Sequence, residues 1–174
     1  VFVLMNPATK LNGNQRTLMG NRTLPAASSD EVTGIPSWVT KVRVLTKGVS
    51  IGSGTQNFQF KLGNSGGYGS TTYYGFYGNL YGVGHIFAAT SVKLNGGLSQ
   101  TGTVWDGIYE LELIDTASNI WSFKGMASLY QSASSDEFYW VHYPEVTLPG
   151  ALDRIEFSST SGVFDAGTWR VIYE

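Results

Sequence analysis

The strongest constraint on the fold is a period-two alternation of apolar and polar residues in several short segments. Lys41–Leu45, Phe58–Leu62 and Trp105–Asp115 all alternate in this way. Successive side chains of a β-strand point to opposite faces, so this period is typical of strands with one buried face. No segment shows the apolar spacing of an amphipathic helix. The pattern therefore predicts an all-β chain.

The remaining strands and turns predict an antiparallel β-sandwich of jelly-roll-like type. The turn Ala117-Ser118-Asn119 joins the strand that ends at Asp115 to a second strand, Ile120–Tyr130, which predicts a hairpin. About eight such strands at roughly ten-residue spacing are typical of sandwiches. The further strands are Phe138–Val146, Ala151–Phe157 and Thr168–Tyr173. The predicted core residues are Val42, Val44, Phe58, Phe60, Leu111, Leu113, Phe123 and Ile155.

Three local features give further expectations. The strand that begins at Lys41 is expected to stop at Lys47-Gly48, where the alternation ends. A turn is expected at Asp165-Ala166-Gly167, because Asp and Gly favour turns. Asp153 and Arg154 are neighbours in a strand pattern, so their side chains are expected on opposite faces and not paired.

The chain divides into an N-terminal segment, residues 1–33, and a sandwich domain, residues 34–174. The N-terminal segment has scattered apolar residues and turn-forming pairs such as Asn6-Pro7 and Asn12-Gly13. It predicts an extended arm with at most two short strands. Such an arm lies either on its own domain or on a neighbouring subunit.

Composition argues against several classes of function. Lys and Arg number 11 and Asp and Glu number 13, so the formal net charge is 11 − 13 = −2, with no basic run for nucleic acid. No apolar run approaches the ~20 residues of a membrane span. The chain has no cysteine, which excludes a disulfide framework, a thiol nucleophile and a cysteine-ligated metal.

Catalysis and metal binding have little support in the sequence. The two histidines, His85 and His142, are far apart, and no Gly-x-Ser-x-Gly or EF-hand motif is present. Glu110 and Glu112 share a strand face, which is usually solvated. A glycosidase-type carboxylate pair remains a weaker alternative. We therefore predict no enzyme activity, no cofactor and no metal.

Two aromatic clusters are the candidate binding surfaces. Residues 63–84 are rich in Gly and Tyr, and this segment is expected to be functional or interrupted by a strand. Tyrosine rings stack on sugars, but the alternative is packing on the sheet or on a sister subunit. The ligand-binding or receptor-binding candidates are Tyr68, Tyr73, Tyr74, Phe76, Tyr77 and Tyr81. The candidates for a subunit interface, with a glycan platform as the alternative, are Tyr139, Trp140 and Tyr143.

Residues 34–174 also resemble a known domain. The motifs that carry the resemblance are Gly34-Ile35-Pro36-Ser37-Trp38, Gly48-Val49-Ser50, Leu62-Gly63-Asn64-Ser65-Gly66-Gly67, Leu152-Asp153-Arg154, Phe164-Asp165-Ala166-Gly167 and Tyr173-Glu174. In their order and spacing they resemble a C-terminal domain of tail-fibre-like and other surface proteins of tailed bacteriophages. Residues 1–33 resemble no fibre shaft, because they lack coiled-coil heptads and a collagen repeat.

The resemblance implies a non-enzymatic structural protein on the bacteriophage virion surface, on a tail fibre or on the capsid exterior. It implies a homotrimeric fibre or spike head that attaches the particle to a host receptor or surface glycan. The alternative is a capsid decoration, or cement, protein that contacts other virion proteins through residues 1–33. Neither role involves nucleic acid or membrane insertion.

Overall fold

The computed structural model describes residues 17–18, 20–54, 57–68, 73–79, 84–89, 91–94, 103–131 and 136–174. These residues form two antiparallel β-sheets that enclose one hydrophobic core, and they contain no helix. The prediction of an all-β antiparallel sandwich is therefore confirmed.

The large sheet contains nine strands. Numbered in chain order, they are β1 (Thr17–Leu18), β2 (Arg22–Thr23), β4 (Lys41–Ile51), β6 (Tyr73–Asn79), β7 (Gly84–Ala89), β9 (Thr103–Asp115), β10 (Ile120–Gln131), β11 (Asp136–Thr147) and β13 (Phe164–Tyr173). Their order across the sheet is β1-β13-β4-β9-β10-β11-β6-β7, and β2 also pairs with β13.

The small sheet contains four strands. They are β3 (Ser29–Thr33), β5 (Phe58–Gly63), β8 (Val92–Lys93) and β12 (Arg154–Ser159), in the order β3-β12-β5-β8. The predicted hairpin is present, because β9 and β10 pair along their whole length.

A predicted strand end and a predicted turn are β-bulges inside strands. β4 does not stop at Lys47-Gly48 but continues to Ile51, and its register with β9 shifts between Thr46 and Val49. Gly48 has a φ of 65°, and its N–H donates to Asp106 Oδ1 at 2.5 Å. The predicted turn at Asp165-Ala166-Gly167 likewise lies inside β13, where the register with β4 shifts twice. Gly48 and Gly167 both have a positive φ, which bulges and turns alike can use, so the sequence signals for the two coincide.

The core lies between the two sheets and contains the residues expected from alternation. Seven of the eight predicted core residues are buried, and Leu113 is partly buried against them. Phe60 of the small sheet lies at the centre, with ring centroids 5.0 Å from Tyr109 and 5.0 Å from Phe157.

Tyr109 occupies the space that two glycines leave open on the inner face of the large sheet. A Cβ on Gly107 or on Gly125 would overlap the Tyr109 ring. The ring is fully buried, and its hydroxyl accepts a hydrogen bond from Trp105 Nε1 at 2.7 Å. Burial raises the pKa of the Tyr109 hydroxyl.

The described part of the predicted arm belongs to the sandwich. It forms three short strands rather than at most two: β1 and β2 pair with β13, and β3 pairs with β12. Leu24 and Val32 from this segment are buried in the core. Val32 lies between Glu31 and Thr33 and Leu24 between Thr23 and Pro25, so neither belongs to an alternating apolar pattern.

A hydrogen-bonded clamp centred on Asp30 joins the two sheets at this edge. Arg22 of the large sheet binds both carboxylate oxygens, with Nε–Oδ2 2.9 Å and Nη2–Oδ1 2.7 Å. Trp169 Nε1, also from the large sheet, donates to Asp30 Oδ2 at 2.7 Å. Burial alone would raise the pKa of Asp30, but the bonds from Arg22 and Trp169 outweigh it and lower the pKa.

Candidate functional site

The outer face of the large sheet, the face turned away from the core, carries most of the exposed apolar side chains. Eight large hydrophobic side chains are exposed among the described residues, and all but Val163 lie on this face. They are Tyr74, Val104, Ile108, Ile114, Met126, Tyr130 and Tyr143. A concentration of exposed apolar side chains on one face usually marks an interaction site.

A groove of about 630 Å³ crosses β4, β9, β10 and β11 on this outer face. Ile108 and Met126 are direct cross-strand partners in the groove, and Val141 is the next partner of Met126. These three residues form an apolar floor that runs across the strands.

Paired charges line the two sides of the groove. Lys47 and Asp106 form an ion pair on one side. On the other side Glu110 accepts from Arg43 at 2.8 Å and from Lys124 at 3.2 Å. The bond from Arg43 is the main reason that the pKa of Glu110 is lowered. Because these charges already have partners, the groove does not require an ionic ligand.

Two exposed tyrosines lie beside the groove, Tyr143 on β11 and Tyr74 on β6. They are 62% and 64% exposed. Tyr74 is the direct backbone partner of Glu145, which is also exposed, and Tyr143 lies two residues before Glu145 on the same face. The two tyrosines are therefore diagonal neighbours, with Cα atoms ~7–8 Å apart, within reach of aromatic side chains. We call Tyr74 and Tyr143 the tyrosine pair.

The tyrosine pair and Glu145 have the chemistry of a sugar-binding platform. Tyrosine rings offer stiff apolar faces on which a pyranose stacks, and their hydroxyls form hydrogen bonds at the edge. The Glu145 carboxylate is an acceptor for sugar hydroxyls.

Tyr68 lies on the opposite side of the molecule, over the small sheet. Its hydroxyl donates to Glu31 Oε2 at 2.7 Å, and burial together with this bond raises the pKa of Tyr68. The Arg154 guanidinium lies 6.0 Å from the Tyr68 ring centroid. Arg154 also contacts Asp153 at 3.1 Å, so the expectation that these neighbours do not pair is wrong. β12 begins at Arg154, so Asp153 lies outside the strand and the alternation of faces does not apply to this pair.

Tyr73 is a core residue. It is buried between the sheets, and its hydroxyl accepts from the Leu62 N–H at 2.5 Å. Burial raises the pKa of the Tyr73 hydroxyl. The alternation of a strand thus sends Tyr73 inward and Tyr74 outward.

The other candidates are placed by their backbone only. The segment 73–79 is a strand, the second of the two expectations for the Gly/Tyr-rich region. Phe76 pairs with Tyr143 and Tyr77 with His142 in the β6–β11 ladder. Tyr139 and Trp140 pair with Ser128 and Ala127 of β10. Tyr81 lies outside the described residues.

Tyr74 and Tyr143 were candidates from the sequence, but the other exposed apolar residues of the outer face were not. Ile108 and Ile114 have the same parity as Glu110 and Glu112 in β9, the parity that faces solvent. Large aliphatic residues at solvent-facing positions are the signal that points to this surface.

Three further observations concern His142, metal binding and membrane-spanning helices. His142 is buried, with its ring centroid 5.9 Å from Tyr109 and 6.5 Å from Phe123. The described residues contain no group of three or more His, Asp or Glu side chains placed to hold a metal ion. In the part of the chain that is described, no helix has the length and hydrophobicity needed to cross a membrane.

No protein-family model, curated protein or solved structure matches this chain. The bacteriophage resemblance of residues 34–174 therefore stays a prediction from the sequence motifs.

Proposed function

We propose that this chain is a non-enzymatic structural protein of a bacteriophage virion surface and that its sandwich domain attaches the particle to a host surface glycan. The motif resemblance of residues 34–174 supports the bacteriophage assignment. The observation that carries glycan attachment is the tyrosine pair, two tyrosines more than 60% exposed beside an exposed carboxylate.

Each site is expected to bind weakly, and the assembly supplies the avidity. A shallow platform of two rings buries little ligand surface, so a single copy holds a glycan loosely. Several copies on one particle raise the effective concentration, which strengthens attachment without any new contact. A homo-oligomer is therefore part of the proposal.

Replacing both tyrosines by alanine tests the site. The variant Tyr74→Ala/Tyr143→Ala is expected to lose ~1–3 kcal/mol of binding free energy, about 5- to 150-fold in affinity, because two aromatic stacking contacts disappear. The measurement is binding of the purified protein to an array of bacterial surface polysaccharides, followed by equilibrium titration of each glycan that binds.

Tyr68→Ala is the matched control, because it removes a tyrosine from the opposite side of the molecule. This control is expected to bind glycans as the wild type does, with thermal melting to confirm that all variants fold. Equal affinity of the double variant and the wild type would exclude the tyrosine pair as the site.

A capsid decoration role is the alternative proposal, with residues 1–33 as the contact to other virion proteins. The described part of that segment pairs with β12 and β13 of its own domain. Because β2 and β3 are already paired within their own domain, they are not free to bind other virion proteins. This favours host attachment by the sandwich domain over capsid decoration through residues 1–33.

A further inference from the structure

We infer that a second copy of this chain docks on the outer face of the large sheet, related by a twofold axis that runs parallel to the strands midway between β9 and β10. This inference does not rest on glycan binding. It rests on the apolar residues and charges of β9 and β10, the two central strands of this face.

The apolar residues of the two strands are arranged for such a contact. Ile108 on β9 pairs with Met126 on β10, and Val104 pairs with Tyr130. All four side chains are exposed. A rotation of 180° about the proposed axis places the partner's β10 opposite β9 and the partner's β9 opposite β10. Ile108 therefore meets the partner's Met126, and Val104 meets the partner's Tyr130. Met and Tyr are among the residues enriched in protein interfaces.

The charges select the direction of the axis. Glu110 and Lys124 are cross-strand partners next to the apolar floor. With the axis parallel to the strands, Glu110 faces the partner's Lys124 and Lys124 faces the partner's Glu110. A twofold axis perpendicular to the strands would instead bring Asp106 against the partner's Glu110, which is repulsive.

The size of the face approaches that of a standard interface. Four strands at ~4.8 Å spacing and nine residues at ~3.4 Å per residue span about 19 by 30 Å, or nearly 600 Å² before side-chain relief is added. A standard interface takes ~800 Å² from each partner. Tyr74 on β6 lies outside this area and Tyr143 on β11 lies at its edge, so the docked area and the tyrosine pair meet at β11.

Two charge-reversal variants test the twofold contact. Lys124→Glu alone places Glu against the partner's Glu110 twice per dimer, and Glu110→Lys alone places Lys against the partner's Lys124. The dissociation constant of each variant's dimer is expected to be at least about a hundredfold higher than that of the wild type. In an equimolar mixture of the two variants, both contacts become Glu–Lys, so the mixture is expected to form a heterodimer.

Sedimentation equilibrium at ~10 µM, where a micromolar dimer is mostly assembled and a hundredfold weaker one is mostly dissociated, measures the mass. The wild type is expected close to 2 × 18.9 kDa, about 38 kDa, and each single variant close to 18.9 kDa. Lys61→Glu is the matched control, because Lys61 pairs with Glu156 at 3.0 Å across two strands of the small sheet. This control is expected to remain a dimer.

Several outcomes would overturn the inference. They are a monomeric wild type, a trimer of about 57 kDa (3 × 18.9 kDa) as the family resemblance implies, single variants that stay dimeric, or a mixture that stays monomeric. Thermal melting of each variant separates loss of docking from loss of folding.

Discussion

Deleting residues 1–33 is expected to leave a chain that is unfolded, or close to it, at ambient temperature. The deletion removes the core residues Leu24 and Val32, each of which contributes ~1.5–3 kcal/mol by burial. It also removes Arg22 and Asp30, and hydrogen bonds to a charged group contribute ~1.5–3 kcal/mol. The total loss of about 5–9 kcal/mol is comparable with the ~5–15 kcal/mol that stabilises a typical domain.

Urea unfolding followed by tryptophan fluorescence measures this loss. Deletion of residues 1–16 is the control, because it keeps every strand pair described here, and it is expected to unfold near the wild-type midpoint. If the chain without residues 1–33 also unfolds at the wild-type midpoint, the first three strands contribute nothing to stability. Tests of an arm-based attachment should therefore use the shorter deletion.

Replacing Phe60 by alanine is expected to destabilise the fold by ~3–5 kcal/mol. Phe60 is fully buried in the small sheet, and its ring centroid lies 5.0 Å from Tyr109, 5.9 Å from Phe123 and 5.0 Å from Phe157. The large sheet and β12 each hold part of this cluster, so neither sheet moves easily into the space that the ring leaves. The loss therefore includes a cavity as well as the transfer free energy of the ring.

Denaturant unfolding of Phe60→Ala against the wild type measures the effect. Val163→Ala is the control, because Val163 is 51% exposed and its replacement is expected to change stability by less than ~0.5 kcal/mol. A loss below about 1.5 kcal/mol for Phe60→Ala would contradict tight packing between the sheets at this point.

The sequence predicts most of the fold because alternation reports one-sided burial directly. Val42, Val44, Phe58 and Phe60 alternate with polar residues, and each proves to be buried. The bulges at Gly48 and Gly167 were predicted as a strand end and a turn, because both structures use a glycine with positive φ. Local sequence does not show that β4 and β13 continue to pair on either side of these glycines.

The candidate site was harder to predict from the sequence than the fold, because it depends on pairing between distant segments. Tyr74 and Tyr143 are 69 positions apart in the chain (143 − 74) and come together only in the β6–β11 ladder. The Arg43–Glu110 ion pair likewise joins β4 to β9. Tyr73 illustrates the same difficulty, because only the register of β6 decides which of two adjacent tyrosines is buried.

The most direct test of host attachment is to locate this protein on the intact particle by electron cryo-microscopy with an antibody against residues 34–174. The proposal predicts a small number of copies at the distal ends of tail fibres or spikes, with the tyrosine pair accessible to the host surface. A regular lattice of hundreds of copies over the capsid exterior would contradict attachment and establish the decoration role.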